Sequence, residues 1–125
     1  MKKYDPMKDP DSTEWLELDE QERVGLIADY HRRKRVDLPN SIVHAAFHAV
    51  VENQLAEGMP DVLDALSRLQ GEGLDRHEAI HAIGSVLAEC VWSTLKREVR
   101  GADPNQVYLE HLRKFTADEW LKKAR

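Results

Sequence analysis

The chain has one cysteine, Cys90, among its 125 residues, and this scarcity excludes a disulfide within the chain. A chain without disulfides suits a reducing compartment. The lysines at the N-terminus are not followed by an apolar stretch, and no segment is long and apolar enough to span a bilayer. We therefore expect a cytoplasmic protein with neither a signal peptide nor a transmembrane helix.

Positively charged residues are fewer than negatively charged ones. The formal net charge is −5, from 18 lysines and arginines against 23 aspartates and glutamates. Because the neutralisation of phosphates needs a basic surface, general nucleic-acid binding is not expected. The basic run HRRKR at 31–35 is interpreted as a solvated helix end, where the helix dipole favours cations. Contact between this run and phosphate or an acidic partner is the alternative.

Sustained alternation of apolar and polar residues, which is typical of strands, is absent. Glycine and proline instead divide the chain into segments with helical spacing, and some of these begin with a capping-box pattern such as Asp11 with Glu14. The sequence therefore predicts an all-α protein, a compact bundle of about five to six helices. Its 42% apolar residues suit a single helical domain over 11–125, preceded by a flexible N-terminal arm over 1–10.

The most informative pattern is a repeated pairing of histidines. His44 and His48 lie in HAAFHAVVE, and His77 and His81 lie in HEAIHAI, so each pair has i, i+4 spacing. This spacing puts both members of a pair on one face of a helix. Imidazole nitrogens presented on a helix face are suitable ligands for zinc or iron.

The helices predicted for these pairs run from about 41 to 57 and from about 76 to 100, with a shorter helix between them. If the three run up, down and up, the first and third are parallel neighbours. Each pair lies in the first two turns of its helix, so the four imidazoles would meet at one level. Gly84, one turn beyond the second pair, would let the two backbones approach closely. We therefore predict a metal site between these two helices.

Two glutamates are candidate oxygen ligands beside the histidines. Glu52 and Glu78 each lie within a turn of one pair, where a carboxylate can bind the ion or act as a base on a metal-bound water. The alternative for each histidine is an ordinary place in the core, as a neutral and hydrogen-bonded side chain. The positive partial charge at a helix N-terminus also opposes a nearby cation.

The segment HEAIH at 77–81 matches the H-E-x-x-H pattern of zinc peptidases, in which the glutamate is the general base. A capping box with Asp75 explains Glu78 without catalysis. The third ligand of a peptidase would have to be the distant Glu98 or His111, and a substrate cleft is not evident. A metal-dependent hydrolase that uses Glu78 is therefore kept as an alternative, and whether the chain is an enzyme stays open.

The segments around both pairs resemble a known family. The patterns H-x-x-x-H, E-x-Q and R-H-E-x-x-H, spread over 39–92, are similar to a family of small bacterial proteins known as domain of unknown function 1841. The matching residues are His44, His48, Glu52, Gln54, Arg76, His77, Glu78 and His81. The resemblance implies a helical fold and a histidine-rich core element, and it implies no activity.

Together these patterns predict a helical protein that binds a transition metal, zinc or iron first, in an unknown biochemical role. The chief alternative is a metal-free helical interaction module, a homodimer being one form, in which the histidines hold the core together. The sequence leaves open which metal, which substrate and which oligomeric state apply.

Overall fold

The computed structural model describes residues 1–34, 41–96 and 103–123, and within these residues it contains seven α-helices and no strand. The all-α prediction is confirmed. The number is close to the five to six expected, and it includes short helices at both ends of the described chain. The helices are α1 (Ser12–Glu17), α2 (Glu20–Arg33), α3 (Ser41–Ala56), α4 (Pro60–Gly71), α5 (Arg76–Leu95), α6 (Pro104–Lys114) and α7 (Ala117–Lys123).

The chain divides into two compact units, Met1–Met59 and Pro60–Arg125. The first unit contains α1 to α3, and the second contains α4 to α7. The single domain over 11–125 stays a prediction, and so does the parallel packing of α3 and α5, because these helices belong to different units.

Local side-chain chemistry explains where several helices begin. Asp11, Asp19 and Asp75 precede α1, α2 and α5, and each carboxylate accepts a hydrogen bond from the backbone N–H three residues further on. Such caps satisfy donors that the first helical turn leaves open. The predicted caps are confirmed. The predicted end of the fifth helix, at 97–100, lies outside the described residues.

The first unit is built around α3, which contacts both α1 and α2. Its core cluster joins Tyr4, Trp15 and Ile27 to two alanines of α3, Ala45 and Ala49. Small side chains on α3 leave room for large ones opposite, so the rings of Tyr4 and Trp15 pack with their centroids 5.6 Å apart. The segment before α1 therefore contributes to this core, although the predicted flexibility of residues 1–10 stays a prediction.

In the second unit, α5 contacts α4, α6 and α7. Ile80 and Ile83 on α5 are fully buried, as is Leu69 on α4. Arg68 on α4 donates hydrogen bonds to the backbone carbonyls of Leu112 and Phe115, and these bonds fix the end of α6. These contacts hold α5, the helix that carries the second histidine pair, within the second unit. Within the described residues, no helix is long and apolar enough to cross a membrane.

Candidate metal centre

The first histidine pair lies at the inner face of α3. His48 is 2% exposed and His44 is half-buried, and their ring centroids are 6.2 Å apart. Ala45 and Ala49, which follow them on the helix, are both fully buried. The pair therefore borders the surface of α3 that packs within the first unit, as the i, i+4 spacing predicts.

A third histidine joins this pair from α2. His31 is 4% exposed, and its ring centroid lies 5.0 Å from that of His44 and 5.5 Å from that of His48, in edge-to-face contact with both. One potential ligand nitrogen from each of the three rings lies within 4.8 Å of the others. The name histidine cluster is used below for His31, His44 and His48. Three convergent imidazole nitrogens are a donor set that suits a transition metal.

The hydrogen bond of His31 fixes which of its nitrogens can bind a metal. Nδ1 lies 2.9 Å from the carbonyl oxygen of Ile27. Because a carbonyl oxygen only accepts, Nδ1 must carry the proton, and the lone pair of the neutral ring is then on Nε2. Metal-binding histidines commonly donate their other N–H to a carbonyl or carboxylate in this way.

His48 contacts a residue from the segment that precedes α1. The hydroxyl oxygen of Tyr4 lies 2.8 Å from His48 Nε2, and the same hydroxyl donates a hydrogen bond to the carboxylate of Glu52. Tyr4 and Glu52 are each 1% exposed. The structure thus brings Glu52, a predicted ligand, to the edge of the histidine cluster. There its buried carboxylate accepts a hydrogen bond from the Tyr4 hydroxyl.

The second histidine pair lies on α5, in the other unit. The ring centroids of His77 and His81 are 4.1 Å apart, and both side chains are half-buried. Their i, i+4 spacing on one helix is confirmed. The meeting of this pair with His44 and His48 would be a relation between the two units, and it stays a prediction.

Glu78 is engaged within its own unit. Its Oε2 atom accepts a hydrogen bond of 2.5 Å from the indole N–H of Trp120, and its backbone N–H donates to the Asp75 carboxylate. The bond to Asp75 is the helix cap that the sequence predicts here, and it involves only the backbone N–H of Glu78. The indole contact gives the side chain a structural role that its position in the H-E-x-x-H pattern does not reveal.

The residues of the basic run at 31–35 differ in their burial. Arg32, Arg33 and Lys34 are exposed, as a solvated helix end requires, whereas His31 is buried. Arg33 donates a hydrogen bond of 3.4 Å to the backbone carbonyl of Tyr4. Arg35 lies outside the described residues. The interpretation of a solvated helix end thus holds for the three exposed residues and was wrong for His31.

Cys90 is buried in the second unit, as its apolar neighbours predict. It is 7% exposed, and burial raises the pKa of its thiol. Its sulfur lies 4.0 Å from Nδ1 of the exposed His111, at the wall of a cavity of about 140 Å³. Because a raised pKa lowers the thiolate fraction, these contacts give no activated nucleophile.

Sequence reasoning missed two residues of this site. His31 comes one helical turn after Ile27, which is fully buried. Both residues therefore lie on the face of α2 that enters the core, and this spacing was a signal for His31. The charged residues after His31 concealed that signal. Tyr4 has no such signal, because the first ten residues show no helical spacing.

Comparison with family models gives a match over most of the chain. The model described as Domain of unknown function (DUF1841) matches residues 10–114, well beyond the 39–92 span of the recognised motifs. The matched range includes His31, both histidine pairs and Glu52, and it excludes Tyr4. Comparisons with curated proteins and with solved structures found no match.

Proposed function

The chain belongs to the DUF1841 family, and we propose that it binds a transition-metal ion on the histidine cluster of its first unit. The observation that carries the proposal is the convergence of His31, His44 and His48, each with a ligand nitrogen within 4.8 Å of the others. Small local movements would bring these three nitrogens to the distance of ~2.0–2.1 Å from a shared zinc ion that zinc–imidazole bonds need.

The chemistry of the cluster favours a metal over an ordinary core role. A buried neutral histidine is satisfied when each ring nitrogen has a hydrogen-bond partner, and this needs no second histidine. Here three rings from two helices pack edge to face, and one ligand nitrogen from each lies within 4.8 Å of the others. The proton of His31 is directed to Ile27, so the lone pair of the neutral ring is on Nε2, the nitrogen that would bind a metal. The buried side chain of Glu52 adds a carboxyl oxygen beside the histidines, which is a further donor that zinc accepts.

Zinc or iron is the proposed ion, because imidazole suits both and the described part of the site offers no thiolate. Three histidines leave at least one coordination position for water or a further ligand. The sequence prediction supplies candidates for that position from α5, namely His77 and His81. Glu52 and Glu78 remain proposed oxygen ligands, and each carboxylate also accepts a hydrogen bond, Glu52 from Tyr4 and Glu78 from Trp120.

Whether the bound ion does chemistry is a separate question. An open position on zinc would generate a metal-bound hydroxide, and Glu52 is then the nearest candidate base in the first unit. A hydrolase that uses Glu78 is not favoured, because Glu78 belongs to the second unit and the histidine cluster belongs to the first. The lone cysteine supports a reducing compartment such as the cytoplasm as the place of action.

Metal analysis of protein purified without a histidine tag tests the proposal. We expect the wild type to retain one zinc or iron ion per chain through gel filtration and dialysis, and we expect His31→Gln to lose it. The matched control is His111→Gln, which alters an exposed histidine of the second unit and should retain the ion. Wild-type protein that stays metal-free after growth with added zinc and iron would leave the metal-free interaction module as the better account.

A further inference from the structure

The hydroxyl of Tyr4 bridges the metal-ligand candidate His48 and the carboxylate of Glu52. Its oxygen lies 2.8 Å from His48 Nε2, and its proton goes to Glu52. A phenol has a single proton to donate, and a carboxylate is a stronger acceptor than a neutral ring nitrogen. The phenol oxygen must therefore accept from His48, so His48 carries its proton on Nε2.

This proton position decides how His48 can bind a metal. With the proton on Nε2, the lone pair of the neutral ring is on Nδ1. The chain His48–Tyr4–Glu52 thus does for His48 what the carbonyl of Ile27 does for His31: it holds one tautomer and one ring orientation. Partners of this kind also raise the basicity of the ligand nitrogen.

Tyr4 is at the same time an anchor of the N-terminal segment, residues 1–10. Its ring packs against Trp15 and Tyr30, and its carbonyl accepts a hydrogen bond from Arg33. Around Tyr4 the segment is largely exposed, including its three lysines at positions 2, 3 and 8. Pro6 is also buried and the N-terminal amino group pairs with Glu14, so Tyr4 is one of the residues that dock the segment, and it also contacts His48.

We propose that Tyr4 is a positioning residue of the metal site, and that docking of residues 1–10 and metal binding strengthen each other through His48. The inference rests on the proposed function. Coupling between two binding events is reciprocal, so a segment that raises metal affinity by a given factor is itself held more tightly by that factor when metal is bound. Loss of a partner that orients a metal-binding histidine commonly weakens metal affinity by about 10- to 100-fold.

The first test is a zinc competition titration of the wild type, Tyr4→Phe and Tyr30→Phe. Tyr4→Phe keeps the ring and removes only the hydroxyl, and we expect its zinc Kd to rise by about 10- to 100-fold. Tyr30→Phe is the matched control, because it also removes only a phenol hydroxyl and keeps the ring contacts with Tyr4 and His31, so it should bind zinc as the wild type does. Unchanged affinity in Tyr4→Phe, together with loss of zinc binding in His31→Gln, would overturn the positioning role and leave the proposed function intact. Failure of the wild type to bind zinc would remove both.

The second test measures docking of the segment. Trypsin cleaves after the exposed lysines at 2, 3 and 8, and zinc should slow this cleavage in the wild type by a factor similar to the loss of affinity in Tyr4→Phe. Zinc should have no effect on cleavage of the Tyr4→Phe segment. A peptide of residues 1–10 controls for any action of zinc on trypsin. Equal protection in both proteins would contradict the coupling.

The third test determines directly which ring nitrogen of His48 carries the proton. Its deciding measurement is made on the wild type and does not depend on a variant. Nitrogen-15 NMR of histidine-labelled, metal-free wild-type protein should show His48 as the Nε2–H tautomer. In Tyr4→Phe, where the partner is gone, this preference should weaken. A wild-type His48 protonated on Nδ1 would overturn the proposal, because Nε2 would then be the ligand nitrogen and Tyr4 would compete with the metal for it.

Discussion

The rings of His31 and His44 meet edge to face with their centroids 5.0 Å apart, and this contact joins α2 to α3 at the candidate metal centre. A metal ion shared by these two residues would link the two helices that form most of the first unit. The free energy of metal binding would then be part of the folding free energy of that unit.

Removal of the metal should therefore lower stability. A ligand present at 100 times its Kd stabilises the folded state by about 2.7 kcal/mol. We expect a chelator to lower the melting temperature of the wild type and of His111→Gln, and to have no effect on His31→Gln. Calorimetric scans of the three proteins with and without chelator provide the measurement. Identical scans of the wild type under both conditions would favour a core role for the histidines.

The hydrolase alternative predicts a different behaviour of Glu78. Its carboxylate accepts from Trp120, and a glutamine can accept the same bond, so Glu78→Gln should keep its fold and its metal. We expect neither the wild type nor this variant to cleave a general protease substrate such as casein. Turnover by the wild type that is abolished in Glu78→Gln, at equal folded fraction, would establish the general-base role instead.

Glu72 gives the second unit a pH-dependent contribution to stability. Its pKa is lowered, first by the hydrogen bond that its carboxylate accepts from the backbone N–H of Ala117 and also by Arg68. A lowered pKa means that the contribution is present above the unfolded glutamate pKa of about 4.3 and is lost as the pH falls through the folded value.

The variant Glu72→Gln should be less stable than the wild type at neutral pH, by less than about 1 kcal/mol because the group is partly solvated. Below the folded pKa the two proteins should converge. Urea unfolding followed across the acidic range measures this difference, with Glu57→Gln, an exposed residue after α3, as the control. A difference that is constant with pH would show that the charge of Glu72 contributes nothing.

The buried thiol of Cys90 should react slowly. Burial raises its pKa, so a smaller fraction is thiolate near neutral pH than for a free cysteine, whose pKa is about 8.5. We expect alkylation by iodoacetamide to be much slower in the native protein than in urea, and His111→Gln to leave the native rate nearly unchanged. Native alkylation that is fast and depends on His111 would instead identify an activated cysteine.

Local patterns allowed much of the helical structure to be predicted. The caps at Asp11, Asp19 and Asp75 depend on bonds to residues within one turn, so the sequence carries them in full. The spacing of His44 and His48 likewise predicted their common face. Such features are decided by neighbours along the chain, and they do not depend on how the helices pack.

The rest of the site depends on packing, which local patterns do not determine. Position 31 is followed by exposed basic residues, and only the contact of α2 with α3 reveals that His31 itself turns inward. Tyr4 reaches His48 across 44 positions of sequence, from a segment with no periodic pattern. The bond between Trp120 and Glu78 spans 42 positions, so a motif match alone could not exclude Glu78 as a free base.

X-ray absorption spectroscopy at the metal edge of untagged, gel-filtered protein tests the central claim most directly, because it counts the imidazoles bound to the ion. We expect scattering from at least three imidazole rings, with nitrogen at ~2.0–2.1 Å if the ion is zinc. We also expect His31→Gln to lose the signal and His111→Gln to keep it. A wild-type spectrum without metal, or one with only oxygen neighbours, would contradict the claim.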